Sequence, residues 1–550
     1  MKRLFTSLAL VIFLGGRLFA QEEMNVVWET KLDHKIENTG LSDPKDMLMA
    51  SNDKEISFVK NRDGSIIWTK RFKDITPGLG KIDEQIPMWE SNVMFLFDRK
   101  MGKDKIACVD IPTGNFLWMT DKYQDVTEDN VVYIPEMDAF AVSTKAALTM
   151  IKARTGEEIW TTTKFKGVVG AYTVGSDNHI VMLNFKPDLL SSLFAGFKNQ
   201  IVKINMANGD VVWDQTYIGL AEKKVITRES TAKLRLVAGK VFLHLNGIQV
   251  YDYNTGAQQW SAAFDADLNV VGKPAGAKRF GCYGVVAEPV VVGNDVYVID
   301  MKDKKKQFIK KYDLNSGKLL WTSPEIESAK ALPGLYFADG TLILQIGGMI
   351  ECQAYIQQRT RNADGSYTIT ERWMVYYRNV KPNGVQAFNA SNGEKLWESE
   401  RFKKGITNGF PIDNNRFIVC SGKALYSLDI KSGKENTEIA LGDDDIGLAQ
   451  KIIDYNDRVI VVGEKGIAGH NKIDGKLINS GRWKSGDFAG LYGNTLLFQR
   501  ENDDFAAYNV ETSKYLTYNA RKNSVSKLSL DGRFVYVWEK NSVAKLSTTK

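Results

Sequence analysis

The chain holds only four cysteines in 550 residues, Cys108, Cys282, Cys352 and Cys420, and no two of them form a Cys-x-x-Cys pair. That spacing argues against a structural zinc site and against covalent c-type haem. It does not choose a disulfide pairing, and buried thiols on strands are the expectation for Cys108 and Cys420. The four histidines, His34, His179, His244 and His470, are too dispersed to nominate a metal cluster. Proline (12) is far outnumbered by glycine (46), so rigid linkers are few and tight turns many. Gly-x-Ser-x-Gly, His-Glu-x-x-His and a Walker loop are all absent, which removes the common hydrolase and nucleotide signatures. No segment approaches the ~20 apolar residues of a membrane-spanning helix. No long segment carries a helical period, so alternating βα architectures are poor candidates.

What is present starts at the N-terminus. Lys2 and Arg3 precede the apolar run Leu8–Leu14, and Leu18-Phe19-Ala20 leads into Gln21-Glu22-Glu23. This is the order of a secretory signal peptide, with cleavage expected after Ala20 and residues 21–550 forming the mature chain. The run is too short for a membrane anchor, and no lipobox cysteine follows it. Removing Lys2, Arg3 and Arg17 lowers the formal charge from +6 to +3. That is too small a surplus to imply nucleic-acid binding. The product is expected in the periplasm or the medium, where disulfides are permitted.

The dominant feature is a repeat. Tyr312-Asp313-Leu314-Asn315-Ser316-Gly317-Lys318-Leu319-Leu320-Trp321 reads as strand, tight turn, strand. The turn glycine recurs at Gly64, Gly114, Gly156, Gly209, Gly256, Gly317, Gly393, Gly433 and Gly475, with Ser513 in a tenth copy. Tryptophan stands four residues later in seven copies: Trp68, Trp118, Trp160, Trp213, Trp260, Trp321 and Trp397. Thr437, Asn479 and Thr517 stand there in the others. An Asp or Asn often precedes the glycine by four, as at Asp110, Asp252 and Asp313, where it can hydrogen-bond the turn. Two further apolar runs lie upstream of each turn. Each copy is therefore four short strands in about 42 residues, the signature of a β-propeller blade.

The fold class expected is all-β, a propeller of four-stranded blades. Residues 24–32 form a strand with no partners of its own. Residues 532–546 form strands that lack an outer neighbour. Pairing the two would make a composite blade and remove two free edges. Counted so, there are about eleven units, more than the 4–8 typical of propellers. An unusually large ring, merged or peripheral units, and two rings all remain open, and the match of the termini favours one ring.

The pattern (Asp/Asn)-x-x-(Thr/Ser/Asn)-Gly-x-x-x-Trp, clearest in residues 109–118 and 251–260, resembles the tryptophan-docking repeat of quinoprotein-like propellers. The resemblance covers essentially the whole mature chain. It implies the fold and leaves the activity between two poles. One is the quinone dehydrogenases, which use pyrroloquinoline quinone and calcium and often carry adjacent cysteines against the quinone. The other is the non-catalytic BamB-like propellers of outer-membrane protein assembly. This chain lacks a Cys-Cys pair, which places it nearer the second pole, with no catalytic residue and no cofactor expected. BamB-like proteins usually carry a lipobox cysteine, and this chain departs there.

The expected role is therefore a monomeric, protein-binding scaffold. A quinone- and calcium-dependent alcohol or sugar dehydrogenase and a glycan-binding propeller are the alternatives. In a four-stranded blade the Gly turns lie on one face, and the loops between strands two and three and between blades lie on the other. Insertions that stretch the period fall mainly on that second face, where variable loops over a rigid scaffold carry function. Two stand out as interaction surfaces. Leu189, Leu190, Leu193, Phe194 and Phe197 follow a helical spacing in one insertion, suited to a partner or a lipid interface or to plugging the propeller mouth. Gln353–Val380 reads as a long hairpin around residues 362–365, with Tyr367, Trp373, Tyr376 and Tyr377 as aromatic surface. Basic loops (Arg99-Lys100, Lys103, Lys223-Lys224, Lys278-Arg279, Lys304–Lys306) and acidic ones (Asp443–Asp445, Asp503-Asp504) divide that face by charge.

Overall fold

The structure, a computed structural model, describes residues 22–549 apart from 101–103, 125, 127–129, 145, 186–197, 219–232, 246, 263–276, 284, 304–305, 327–328, 362–366, 400–401, 442–445, 483–486, 500–504, 513 and 522–523. Eleven antiparallel sheets form one propeller ring. Blades 1 to 10 span residues 38–71, 84–120, 131–162, 168–215, 233–261, 290–322, 334–398, 409–440, 449–482 and 487–518. Blade 11 is composite. Its inner strands Val525–Leu528, Phe534–Glu539 and Ser542–Ser547 come from the C-terminus, and its outer strand Asn25–Lys31 from the N-terminus. Val26 pairs with Leu546 and Lys31 with Ser542. One ring closed by its own termini is thus the architecture, and the outer edge of blade 11 is covered. Just before that strand, Glu22–Glu23 runs parallel to the outer strand of blade 10.

Each seam between neighbouring blades is filled by its own apolar cluster. Blades 2 and 3, for example, share Phe95, Phe97, Trp118, Phe140 and Ile151. Blades 11 and 1 share Leu48, Val59, Tyr536 and Trp538. The clusters use alternate residues of the middle strands, which are buried on both faces and read as continuous apolar runs, such as Val93–Asp98 and Ala139–Ser143. Cys108 and Cys420 sit in these layers as buried thiols outside any disulfide. Burial raises the pKa of both, that of Cys420 to about 12.

The repeat motif is the pin of each seam. The tryptophan of one blade lies beneath the turn glycine of the next. Its indole N–H donates to the backbone carbonyl three residues before that glycine. Trp68 reaches Ile111 at 2.9 Å, Trp118 reaches Ala153 at 3.0 Å, Trp160 reaches Met206 at 2.8 Å, Trp213 reaches Tyr253 at 3.0 Å, and Trp397 reaches Ile430 at 2.8 Å. Trp28 of the composite blade does the same to Asn61, which explains why a lone N-terminal strand carries this residue. Glycine is required in the turn for two reasons. Gly209 has φ +76°, and a Cβ there would stand 2.6 Å from the Trp160 ring. Where tryptophan is missing from blade 8, Ile439 rather than Thr437 fills the place under Gly475. The seam between blades 5 and 6 departs from the rule: Trp260 Nε1 is buried without an acceptor among the described residues, and the ring instead stacks on Tyr312 at 5.6 Å.

Candidate functional site

Strand order fixes the two faces. The turns after the third strand, with their glycines, lie on one. The loops between strands two and three and between blades lie on the other, the side toward which the strands ending at Phe185, Gln215 and Ser261 run. Leu189, Leu190, Leu193, Phe194 and Phe197 lie outside the described residues, as do Lys103, Lys223-Lys224, Lys304-Lys305, Asp443–Asp445 and Asp503-Asp504. Arg99 is held by Glu84 and the Val126 carbonyl, and Lys100 faces Asp98 at 3.3 Å.

The largest described elaboration of that face is an arm grown from blade 7. Its second and third strands, Thr341–Arg361 and Tyr367–Asn389, run on beyond the blade as one continuous hairpin. Pairing holds from Gly348↔Val380 to Arg361↔Tyr367. At about 3.3 Å per residue the extension is about 45 Å long. A third strand, Ala277–Tyr283, comes from the connection between blades 5 and 6 and pairs with Glu351–Ile356. Lys278 and Arg279 are therefore in a strand, where the sequence had suggested a charged loop. The pairing sets the backbone of Cys282 directly across from Cys352.

The arm is anchored at its root. Ile350, Cys352 and Val380 are buried with Val285 and Ala331. Gly347, with φ +65°, marks the bulge where the arm leaves the blade, and a Cβ there would collide with the Pro382 carbonyl oxygen. In the backbone pairing, Tyr367, Trp373, Tyr376 and Tyr377 stand opposite Arg361, Tyr355, Cys352 and Glu351. The Tyr377 hydroxyl donates to Glu351 at 3.3 Å, and burial, with that carboxylate beside it, pushes Tyr377 up to about 12.

A second concave feature lies in the channel and was not legible in the sequence. A cavity of about 600 Å³ is lined by the innermost strands of blades 2 to 5. Met88, Val131, Val169 and Leu234 give it apolar wall, Tyr133 and Tyr172 aromatic wall, and Glu90, Lys233 and Arg235 charge. The tyrosine hydroxyls are already engaged, Tyr133 with Asp138 at 2.8 Å and Tyr172 with the Tyr133 carbonyl at 3.3 Å. Lys233 meets the Glu288 carboxylate at 2.9 Å. Among the described residues no group of three His, Cys, Asp or Glu is placed to hold a metal ion, and no helix is long and apolar enough to cross a membrane.

With the ring and its tryptophan pins in view, the comparison with known families is decisive on one point. A family model described as outer membrane protein assembly factor BamB matches residues 102–345 and 381–486, more than half of the chain. The chain belongs to this family. The match is interrupted over 346–380, which is the arm. No curated protein matches the chain. Among solved structures, BamB from Moraxella catarrhalis is similar at 15% identity and a TM-score of 0.29, covering 80% of this chain and 96% of that one. The computationally designed Ika8 protein scores 0.34 at 13% identity, over 71% of this chain and all of that one. A eukaryotic initiation factor scores 0.32 at 12% identity, over 75% and 94%. These scores are too low to bear on blade count or function.

Proposed function

We propose that this BamB-family chain is an exported, monomeric, non-enzymatic propeller that holds a protein partner on its long-loop face, in envelope or outer-membrane protein biogenesis. The observation that carries the reading is the arm of blade 7. A 45-Å-scale hairpin, braced by a third strand and rooted in a buried cluster, is costly to order and contributes nothing to ring closure. Its position on the face of the long connections suits capture of another protein. The family's description, an outer membrane assembly factor, supplies the setting, and the signal-like residues 1–20 supply the route of export.

The test uses the full chain in its native envelope. Photo-crosslinking residues are placed along the arm at 357, 369 and 373, and on the glycine-turn face at 158 and 396. Crosslinks to a barrel-assembly protein from the arm alone are expected. An arm-deleted variant, with 354–374 replaced by an Asn-Gly turn, keeps Ile350, Cys352 and Val380 at the root and should fold. Partner capture by that variant at full strength, or crosslinks confined to the glycine-turn face, would overturn the assignment.

A further inference from the structure

We propose that Cys282 and Cys352 form a disulfide that ties the third strand of the arm to its hairpin. Its formation rests on the export proposed above, because such bonds are made and kept in oxidising compartments.

Spacing along the chain leaves the pairing of the four cysteines open, and strand register closes it. Cys108 stands opposite Phe95 and Trp118 within blade 2, and Cys420 opposite Leu425 within blade 8. The two lie in separate apolar clusters. Cys282 and Cys352 are about 70 residues apart, yet the ladder sets their backbones directly opposite. Gly281↔Gln353 and Tyr283↔Glu351 hold the register on either side.

The pair is also of the closer kind. Met349 stands opposite Asn379 in the hairpin, but its N–H donates to the Thr407 carbonyl at 3.3 Å and so is turned away from that partner. Amide direction alternates along a strand, so the N–H of Cys352 points toward its hairpin partner Tyr376 and away from Cys282. Opposed residues without mutual backbone hydrogen bonds have Cα atoms about 4.5 Å apart, inside the ~4.4–6.8 Å window of a disulfide. Cys352 is fully buried, beside Val285, Ala331, Ile350 and Val380, and as a thiol it donates to the Ile350 carbonyl at 3.7 Å. That burial denies reductants access once the bond is made.

The electron acceptor is a thiol oxidase of the envelope that carries a disulfide. One protein thiolate attacks that disulfide, releasing one oxidant thiol and leaving a mixed disulfide. The second protein thiolate then displaces the oxidant's other sulfur. Two protein thiols become one disulfide, and the oxidant's two sulfurs leave as thiols carrying the two protons. Because Cys352 is buried in the finished arm, the exchange precedes closure of the root. The bond fixes a register that backbone pairing alone holds less well. A register shift already interrupts that pairing between Ala277 and Arg279, and a slip of one residue turns a strand over.

The test produces the full chain, with residues 1–20, in a bacterial host. Envelope and cytosolic fractions are denatured without reductant and alkylated, and peptide mass mapping locates linked and alkylated cysteines. In envelope protein a linked Cys282–Cys352 peptide is expected, with only Cys108 and Cys420 alkylated. Alkylation of all four, or a link to Cys108 or Cys420, would overturn the proposal. Protein confined to the cytosol would refute export alone. The pairing is then read by refolding the purified chain in a glutathione redox buffer, where the same linked peptide supports it and its absence overturns it. Cys282→Ser leaves the buried root intact, and far-UV circular dichroism checks that it folds. It should speed trypsin cleavage after Lys278 and Arg279 roughly tenfold over the oxidised chain. Unchanged cleavage would overturn the bond's role as a brace.

Discussion

Trp160 and Trp260 occupy the same place in the repeat and are buried alike, 5% and 8% exposed. They differ in the bond made by the indole N–H, and Trp260 also stacks on Tyr312. Trp160 Nε1 donates to the Met206 carbonyl at 2.8 Å, and Trp260 Nε1 has no acceptor among the described residues. Replacing either by phenylalanine removes a similar amount of apolar surface and leaves a similar gap. Trp160→Phe additionally strands a buried carbonyl, which costs about 1–3 kcal/mol. Trp260→Phe instead removes a buried donor that has nothing to bond, which offsets part of its packing loss. Trp160→Phe should therefore be the more damaging by about 1–3 kcal/mol. Urea denaturation followed by far-UV circular dichroism reads this as a difference in midpoint at unchanged slope. Equal midpoint shifts for the two variants would refute the reasoning and leave ring area, not the hydrogen bond, as what the pin contributes.

Three further outcomes follow from the same geometry. Gly293 and Gly209 both have positive φ, but a Cβ at Gly293 meets nothing within 4 Å. Gly293→Ala should cost about 1 kcal/mol of backbone strain, and Gly209→Ala about 2–4 kcal/mol because the Trp160 ring must also move; thermal melts of the pair decide it. Burial opposes ionisation of Asp177, but hydrogen bonds from Tyr253 and Lys203 outweigh it and hold its pKa at about 2, below the ordinary 3.8. A carboxylate depressed on folding stabilises above its unfolded value and loses that contribution as pH falls through its folded one. Asp177→Asn should thus flatten the stability curve between about pH 4 and pH 2 and leave its shape near neutrality unchanged. Pyrroloquinoline quinone with calcium should leave the melting temperature unchanged. A saturable, calcium-dependent rise would revive the dehydrogenase reading, since a ligand bound only to the folded state at 100 times its Kd adds about 2.7 kcal/mol.

The blade, its period and the closing of the ring were readable from the chain because each depends on local chemistry repeated in order. A glycine at positive φ and a tryptophan four residues later are one hairpin each, and a strand orphaned at one terminus with strands lacking a neighbour at the other names its own partner. What lay beyond the sequence depends on residues far apart. The third strand of the arm, Ala277–Tyr283, is about 70 residues from its partner and carries no turn to announce the pairing. The missing acceptor of Trp260 is a matter of ring placement that leaves no trace in the motif. The channel cavity is the fullest case: Glu90, Tyr133, Tyr172 and Arg235 come from four blades and form no spacing pattern. Repetition along the chain was enough to specify the unit, because that unit is held by contacts within one hairpin and with its next neighbour. Which residues face the channel and which strands join the arm were settled only when eleven blades closed into a ring, because that closure sets the distances between them.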